Sequence, residues 1–203
     1  MEEKVINNIE QLIDKREVNA IIKESIKEIS LCKKNIWQYI VAITLGVIIA
    51  YIVSFSFGTV STVIEITELL FETSIGIVGI ILGAYSIFQA LMKKELIWIL
   101  VQSDENILKQ SNKTFLNISI LYVIDALISL TIRIILRAIG SEFVIFKNML
   151  LNNIFSAALI FIYIVYNLLL LLEMIVFCIN LYRMFCVYNT VSAVEAAKET
   201  EEI

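Results

Sequence analysis

The chain has no proline and no histidine in 203 residues. Without proline, nothing in the sequence forces a break within a helix. Without histidine, the commonest metal ligand and the commonest general base are missing. A serine or cysteine triad therefore lacks its base. A zinc site lacks histidine and also a close cysteine pair, because Cys32, Cys178 and Cys186 show no CxxC spacing. An intramembrane aspartyl protease needs two facing aspartates, and only Asp125 falls inside a long apolar run. There is no P-loop and no GxGxxG. These absences argue against an enzyme, and neither a cofactor nor a metal is expected. Charge is scarce as well: 18% of residues are charged and the net charge is −4, too mild to imply a duplex nucleic-acid partner.

Apolar sequence fills the space left. Hydrophobic residues make up 59% of the chain and its mean hydropathy is +0.85, beyond the usual range of a soluble domain. The charges gather in clusters separated by long uncharged runs, the pattern of a polytopic membrane protein. The fold class expected is all-α, with four transmembrane helices preceded by an amphipathic cytoplasmic segment. The segments read as 1–35, a cytoplasmic helical part; 36–182, a transmembrane domain with spans at about 36–57, 74–92, 114–137 and 154–182; and 183–203, a cytoplasmic tail ending in an acidic, disordered ETEEI. The charged first ~35 residues do not resemble a cleavable signal, so the first span is read as an uncleaved anchor.

Along residues 1–35, Val5, Ile9, Leu12 and Ile13, then Val18, Ile21, Ile22, Ile26 and Ile29, recur at helical spacing. They predict an amphipathic helix resting on the lipid surface or on its own neighbours, or else a partner-binding or oligomerising helix. In the first span Ala42, Gly46, Ala50 and Ser54 recur every four residues, and in the second Gly76, Gly79 and Gly83 include a GxxxG. Small residues at these spacings let membrane helices approach closely. Between these spans, Thr62 and Glu65 fit a capping box. Glu65, Glu68 and Glu72 predict a short amphipathic helix on the outer surface, either a solvated face or an acidic vestibule.

Orientation follows the lysine and arginine bias. Lys33, Lys34, Lys93, Lys94, Lys109, Lys113 and Arg183 fall on one side, and Lys147 with the end-of-helix Arg133 and Arg137 on the other. Both termini and a 93–113 hairpin are therefore expected in the cytoplasm, with the chain in a cytoplasmic membrane. The richness in Ile, Asn and Lys points to a bacterial source. Lys93, Lys94, Lys109 and Lys113 could gather an anionic nucleotide or headgroup, or simply express the positive-inside rule.

The last span, IFSAALIFIYIVYNLLLLLEMIVFCINLY, carries Asn167, Glu173 and Asn180. A charged residue at a helix centre costs ~2.5–3.5 kcal/mol on insertion scales. Helical rise places Glu173 about 12 Å and Asp125 about 16 Å from the inner ends of their runs, within roughly one turn of the same depth. Three readings of Glu173 stay open. It reads as protonated and hydrogen-bonded in the bundle, as lining a wet cation pathway with Asn180, Asp125 and Asn167, or as paired with Arg133 or Arg137. Asp125 is expected to find its partner on another helix.

Four spans with one membrane glutamate are similar to small multidrug exporters, but those carry it in the first span of a shorter chain, so their function is not carried over. As a whole the layout resembles the small bacterial membrane effectors of anti-phage defence, including Hailong-type channel effectors. The stretch GIVGIILGAYSIFQALMKKEL is the nearest to a fingerprint. The resemblance implies a homo-oligomeric pore that depolarises the cell, gated by a nucleotide signal or a cytoplasmic partner protein. The other expectation is a non-conducting membrane tether that recruits a soluble partner through its N-terminal helix.

Overall fold

The computed structural model describes residues 17–28, 36–56, 58–92, 107–140 and 146–201. These hold five helices and no strand: α1 (Val18–Glu28), α2 (Ile36–Ser54), α3 (Thr59–Leu91), α4 (Ile107–Ile139) and α5 (Met149–Glu201). Helices α2 to α5 are long and apolar enough to cross a membrane. At the helical rise, α2 measures ~28 Å, α3 and α4 ~50 Å each and α5 ~80 Å. Only α2 matches a bilayer core of ~30 Å without overhang.

Two antiparallel pairs, α3 on α4 and α2 on α5, make most of the packing, and α1 lies on α4. The α2–α5 contact follows from the four-residue stripe. Gln38, Ala42, Gly46, Ala50 and Ser54 are all buried, and a Cβ at Gly46 would collide with the Val165 side chain. Small side chains here remove the spacer between two backbones.

The α4–α5 seam repeats every seven residues. Phe115 meets Phe177 edge-on at 5.1 Å. Tyr122 donates to the Leu170 carbonyl at 3.0 Å, and the Ser129 and Tyr163 hydroxyls share a hydrogen bond of 2.7 Å. Seven residues forward on one helix match seven back on the other, as in an antiparallel coiled-coil seam. Around it, Ile81 and Phe88 of α3, Ile118 and Leu121 of α4 and Leu170 of α5 complete one core. A second joins Ala50 and Val53 to Ile160 and Ile164.

Several boundaries differ from the sequence reading. The acidic stretch after the first run is not a separate surface helix but the first turns of α3. It runs beside α2, where Val63 and Ile66 pack on the second core. No glycine or proline interrupts residues 59–75, so nothing stops the helix. Its start is set instead by a tight turn through Gly58, at φ +87°, a value that glycine adopts freely. Thr62 Oγ1 donates back to the Gly58 carbonyl, so the expected capping box with Glu65 is not formed. Helix α5 starts earlier, at Met149, where Asn148 Oδ1 accepts from the Leu150 and Leu151 amides as an N-cap. It also runs through the expected tail to Glu201, since alanine and glutamate there favour helix. Most of the 1–35 segment and of the 93–113 hairpin lies outside the described residues.

Candidate functional site

Asp125 sits in the middle of α4 and is completely buried, at 0% exposure. Ser74 of α3 donates to its Oδ2 at 2.5 Å, in the short range of a hydrogen bond to a carboxylate. The other oxygen, Oδ1, is buried without a hydrogen-bond partner. Asn167 of α5, 5% exposed, stands beside it and donates its own Nδ2 to the Tyr163 carbonyl at 3.0 Å. The Ser129–Tyr163 hydroxyl pair is one turn further along. Three helices thus bring five polar side chains to one level of an otherwise apolar core. The expected interhelical partner of Asp125 exists, and it is a serine.

This burial changes the picture of a pathway. Asp125 and Asn167, expected on a permeation path, are sealed inside the chain, while Asn180 is exposed and Glu173 half-buried. The seven-residue seam sets Asp125 level with Asn167. Glu173 is six residues further along α5, ~9 Å away rather than within one turn. Next to Glu173, the Leu172 carbonyl accepts from Gln38 Nε2 at 3.4 Å. Glu173 is therefore level with the first turn of α2, where Trp37 and Tyr39 are residues of the kind enriched at membrane interfaces, and not with the middle of the apolar run that α2 marks out.

The arginines do not reach Glu173. Arg133 forms an ion pair with Glu68 of α3, and Arg137 joins it at 3.7 Å. Two cations converge on one acid, and each of the three sits on a helix that also carries part of the main core. An arginine fork is suited to such a shared carboxylate.

The remainder of the acidic stretch faces outward. Glu65 and Glu72 are exposed on α3. On the same face, Gly76, Gly79 and Gly83 are exposed, and a Cβ built on any of them meets nothing within 4 Å. The two small-residue stripes therefore behave differently: Ala42, Gly46 and Ala50 are covered by α5, whereas the glycines of α3 are bare in this chain.

At the α2-start end, the Ser25 hydroxyl of α1 lies between the Ile21 carbonyl of its own turn at 2.9 Å and Asn117 Oδ1 of α4 at 3.1 Å and shares its proton between them, with both side chains fully buried. Glu24 pairs with Lys113 at 2.5 Å. Of the lysines considered for an anionic ligand, Lys113 is thus taken up by α1, Lys109 is exposed, and Lys93 and Lys94 lie outside the described residues. Among the described residues no three of His, Cys, Asp and Glu gather as a metal-ligating group.

Sequence reading passed over Ser74, Ser129, Tyr163, Gln38 and the Ser25–Asn117 pair, and it set Glu68 on an outer acidic face rather than with Arg133 and Arg137. One signal was present: Ser129 follows Asp125 by four residues, and Asn167 follows Tyr163 by four, so each pair shares a helical face. No family model, no curated protein and no solved structure matches the chain.

Proposed function

We propose that the chain inserts in a bacterial cytoplasmic membrane with both termini inside and assembles with copies of itself into a cation-conducting channel. In this reading it is a pore-forming effector of anti-phage defence that depolarises the cell on a nucleotide signal or a cytoplasmic partner. The observation that carries it is the open face of α3. Glu65 and Glu72 are exposed on the part of the helix that runs beside α2, above three bare glycines. A carboxylate facing lipid at that depth costs ~2.5–3.5 kcal/mol. Copies of α3 arranged around a wet lumen remove that cost and turn the acids into a cation-attracting lining. Glu173 and Asn180, near the level where α2 begins, would serve the inner mouth. Asp125 and Asn167 are left out of the path because the chain encloses them.

Proteoliposomes loaded with potassium and read with a potential-sensitive dye test this. Conduction predicts cation flux from the full chain, reduced selectivity in Glu65→Gln/Glu72→Gln, and altered flux in Glu173→Ala. No flux, either from the full chain or from a variant with α1 released, such as Ser25→Leu, would remove the channel reading. The tether reading would then take its place. It has its own support in Val18 and Ile26 of α1, which stay 70% and 53% exposed while the helix is docked.

A further inference from the structure

We infer that Arg133 and Arg137 bind the headgroup of a singly charged anionic phospholipid, whose acyl chain lies along the exposed face of α4. Charge is the first reason. Two guanidinium groups share the one carboxylate of Glu68, which leaves one positive charge over. Arg137 is more than half exposed, and its 3.7 Å approach to Glu68 is an ion pair too long for a hydrogen bond. Arg133 keeps a buried Nε without a partner. Each guanidinium is a planar fork of several donors, suited to a phosphate as well as to a carboxylate. Glu65 does not cancel the excess. It precedes Thr67 by two residues, and Thr67, fully buried, shares the α4-facing side of α3 with Ser74. Glu65 therefore points nearly the opposite way around the helix. A phosphodiester with a single negative charge makes the arginine pair and Glu68 neutral as a group.

Depth is the second reason. Ser129 meets Tyr163, and Gly46 faces Val165. Carried along the helices, these two registers set Arg133 and Arg137 about 3 Å to either side of the level of Ser54, the last residue of α2. Helix α2 is the one whose length matches the hydrocarbon core. The arginine pair thus straddles the edge of that core, where the phosphates of one leaflet lie.

The third reason is what runs below the charge. Ile134, Leu130, Leu127 and Val123 are all exposed. They precede Arg137 by three, seven, ten and fourteen residues, which makes them one stripe of α4 leading from the arginines toward the middle of the span. A chain attached to the bound phosphate lies on this stripe. The occupant is therefore a lipid and not a free anion. The inference rests on the reading that the chain lies in a bilayer, but not on conduction or on which end faces the cytoplasm.

Native mass spectrometry of the purified full chain in an uncharged detergent tests this. The chain is titrated with phosphatidylglycerol or with phosphatidylcholine, and lipid adducts are counted. One phosphatidylglycerol per chain should bind saturably, roughly tenfold or more tighter than phosphatidylcholine. Arg137→Gln should lose that preference with little change in thermal midpoint, because its contact with Glu68 is long and exposed. Arg183→Gln, the same charge change on an exposed part of α5, should keep it. Glycerophosphoglycerol, the same headgroup diester without acyl chains, should bind roughly a hundredfold more weakly. Equal retention of the two lipids overturns the site. Equal loss in both arginine variants overturns it too, since the effect is then one of general charge. Glycerophosphoglycerol binding as tightly as the lipid makes the pair a site for a soluble anion and overturns the lipid assignment. Flotation with phosphatidylcholine vesicles separates two kinds of failure. A chain that does not float fails the membrane reading and takes this inference with it. One that floats but shows no lipid preference fails this inference alone.

Discussion

At the scale of single residues, the two contacts with the largest expected effect are one that leaves no room and one that leaves no substitute. Gly46 faces Val165 so closely that any Cβ must push it aside. Overpacking of this kind costs about 1–3 kcal/mol. Gly46→Val should therefore unfold at lower temperature or denaturant than the wild type. Val165→Ala, which vacates the colliding methyl, should restore part of the loss, with a coupling of about 1 kcal/mol or more in a double-mutant cycle. Ser74→Ala removes the donor to Asp125 Oδ2 and creates no new one. Leaving a buried acceptor unsatisfied costs about 1–3 kcal/mol. Ser86 is the control on the same helix, because its hydroxyl is exposed and bonds only to the Leu82 carbonyl of its own turn. Ser86→Ala should change stability by less than about 0.5 kcal/mol. Equal effects of the two serine substitutions would mean that the Asp125 contact contributes nothing of its own.

At the scale of elements, sequence patterning identified the apolar helices but not where they end. Four runs were legible because length and lack of charge are local properties. The continuity of α3 was not, because the cation that meets Glu68 lies 65 residues away on α4, and three glutamates in a row of turns read as a surface. Asp125 stood out as an anomaly, yet Ser74 did not, since a serine in an apolar run is ordinary. Glu173 drew attention for the same reason as Asp125, and only the register of α5 against α2 shows it level with the first turn of α2. Helix α1 is a similar case. Its apolar spacing left open whether it rests on lipid or on its neighbours; it lies on α4, and its most buried residue is Ser25, bonded to Asn117. That buried bond should hold α1 more firmly than the Glu24–Lys113 pair. Each side chain of the pair is 35% exposed, and exposed pairs are worth about 0–1 kcal/mol. Limited trypsin cleavage after the exposed Lys23 and Lys27 reports the release of α1. Ser25→Leu, too large for the site and without a donor, should speed cleavage by roughly tenfold or more, and Glu24→Gln by less than about fivefold. A larger effect from Glu24→Gln would mean that charge, not the buried bond, docks the helix.

At the scale of the whole molecule, the decisive contrast is between two stripes of small residues with opposite fates. The one on α2 is consumed in folding the chain; the one on α3 is left bare. Substitution separates folding from assembly on this basis. Alanine at Gly76, Gly79 and Gly83 meets no atom of the same chain, and alanine favours helix over glycine by about 1 kcal/mol per residue in water. The triple variant should therefore fold at least as stably as the wild type. If copies of α3 meet through this face, three added methyl groups separate backbones that need close approach. The oligomer seen by native mass spectrometry or by cross-linking should then weaken, and liposome flux should fall with it. Isoleucine at the same three positions should enlarge the loss of assembly while still leaving the single chain folded. A variant that loses stability but keeps its oligomer would place the glycines in the fold of the protomer instead. One that keeps both stability and assembly would move the contact between copies to another face, and the acidic lining assigned to Glu65 and Glu72 would move with it.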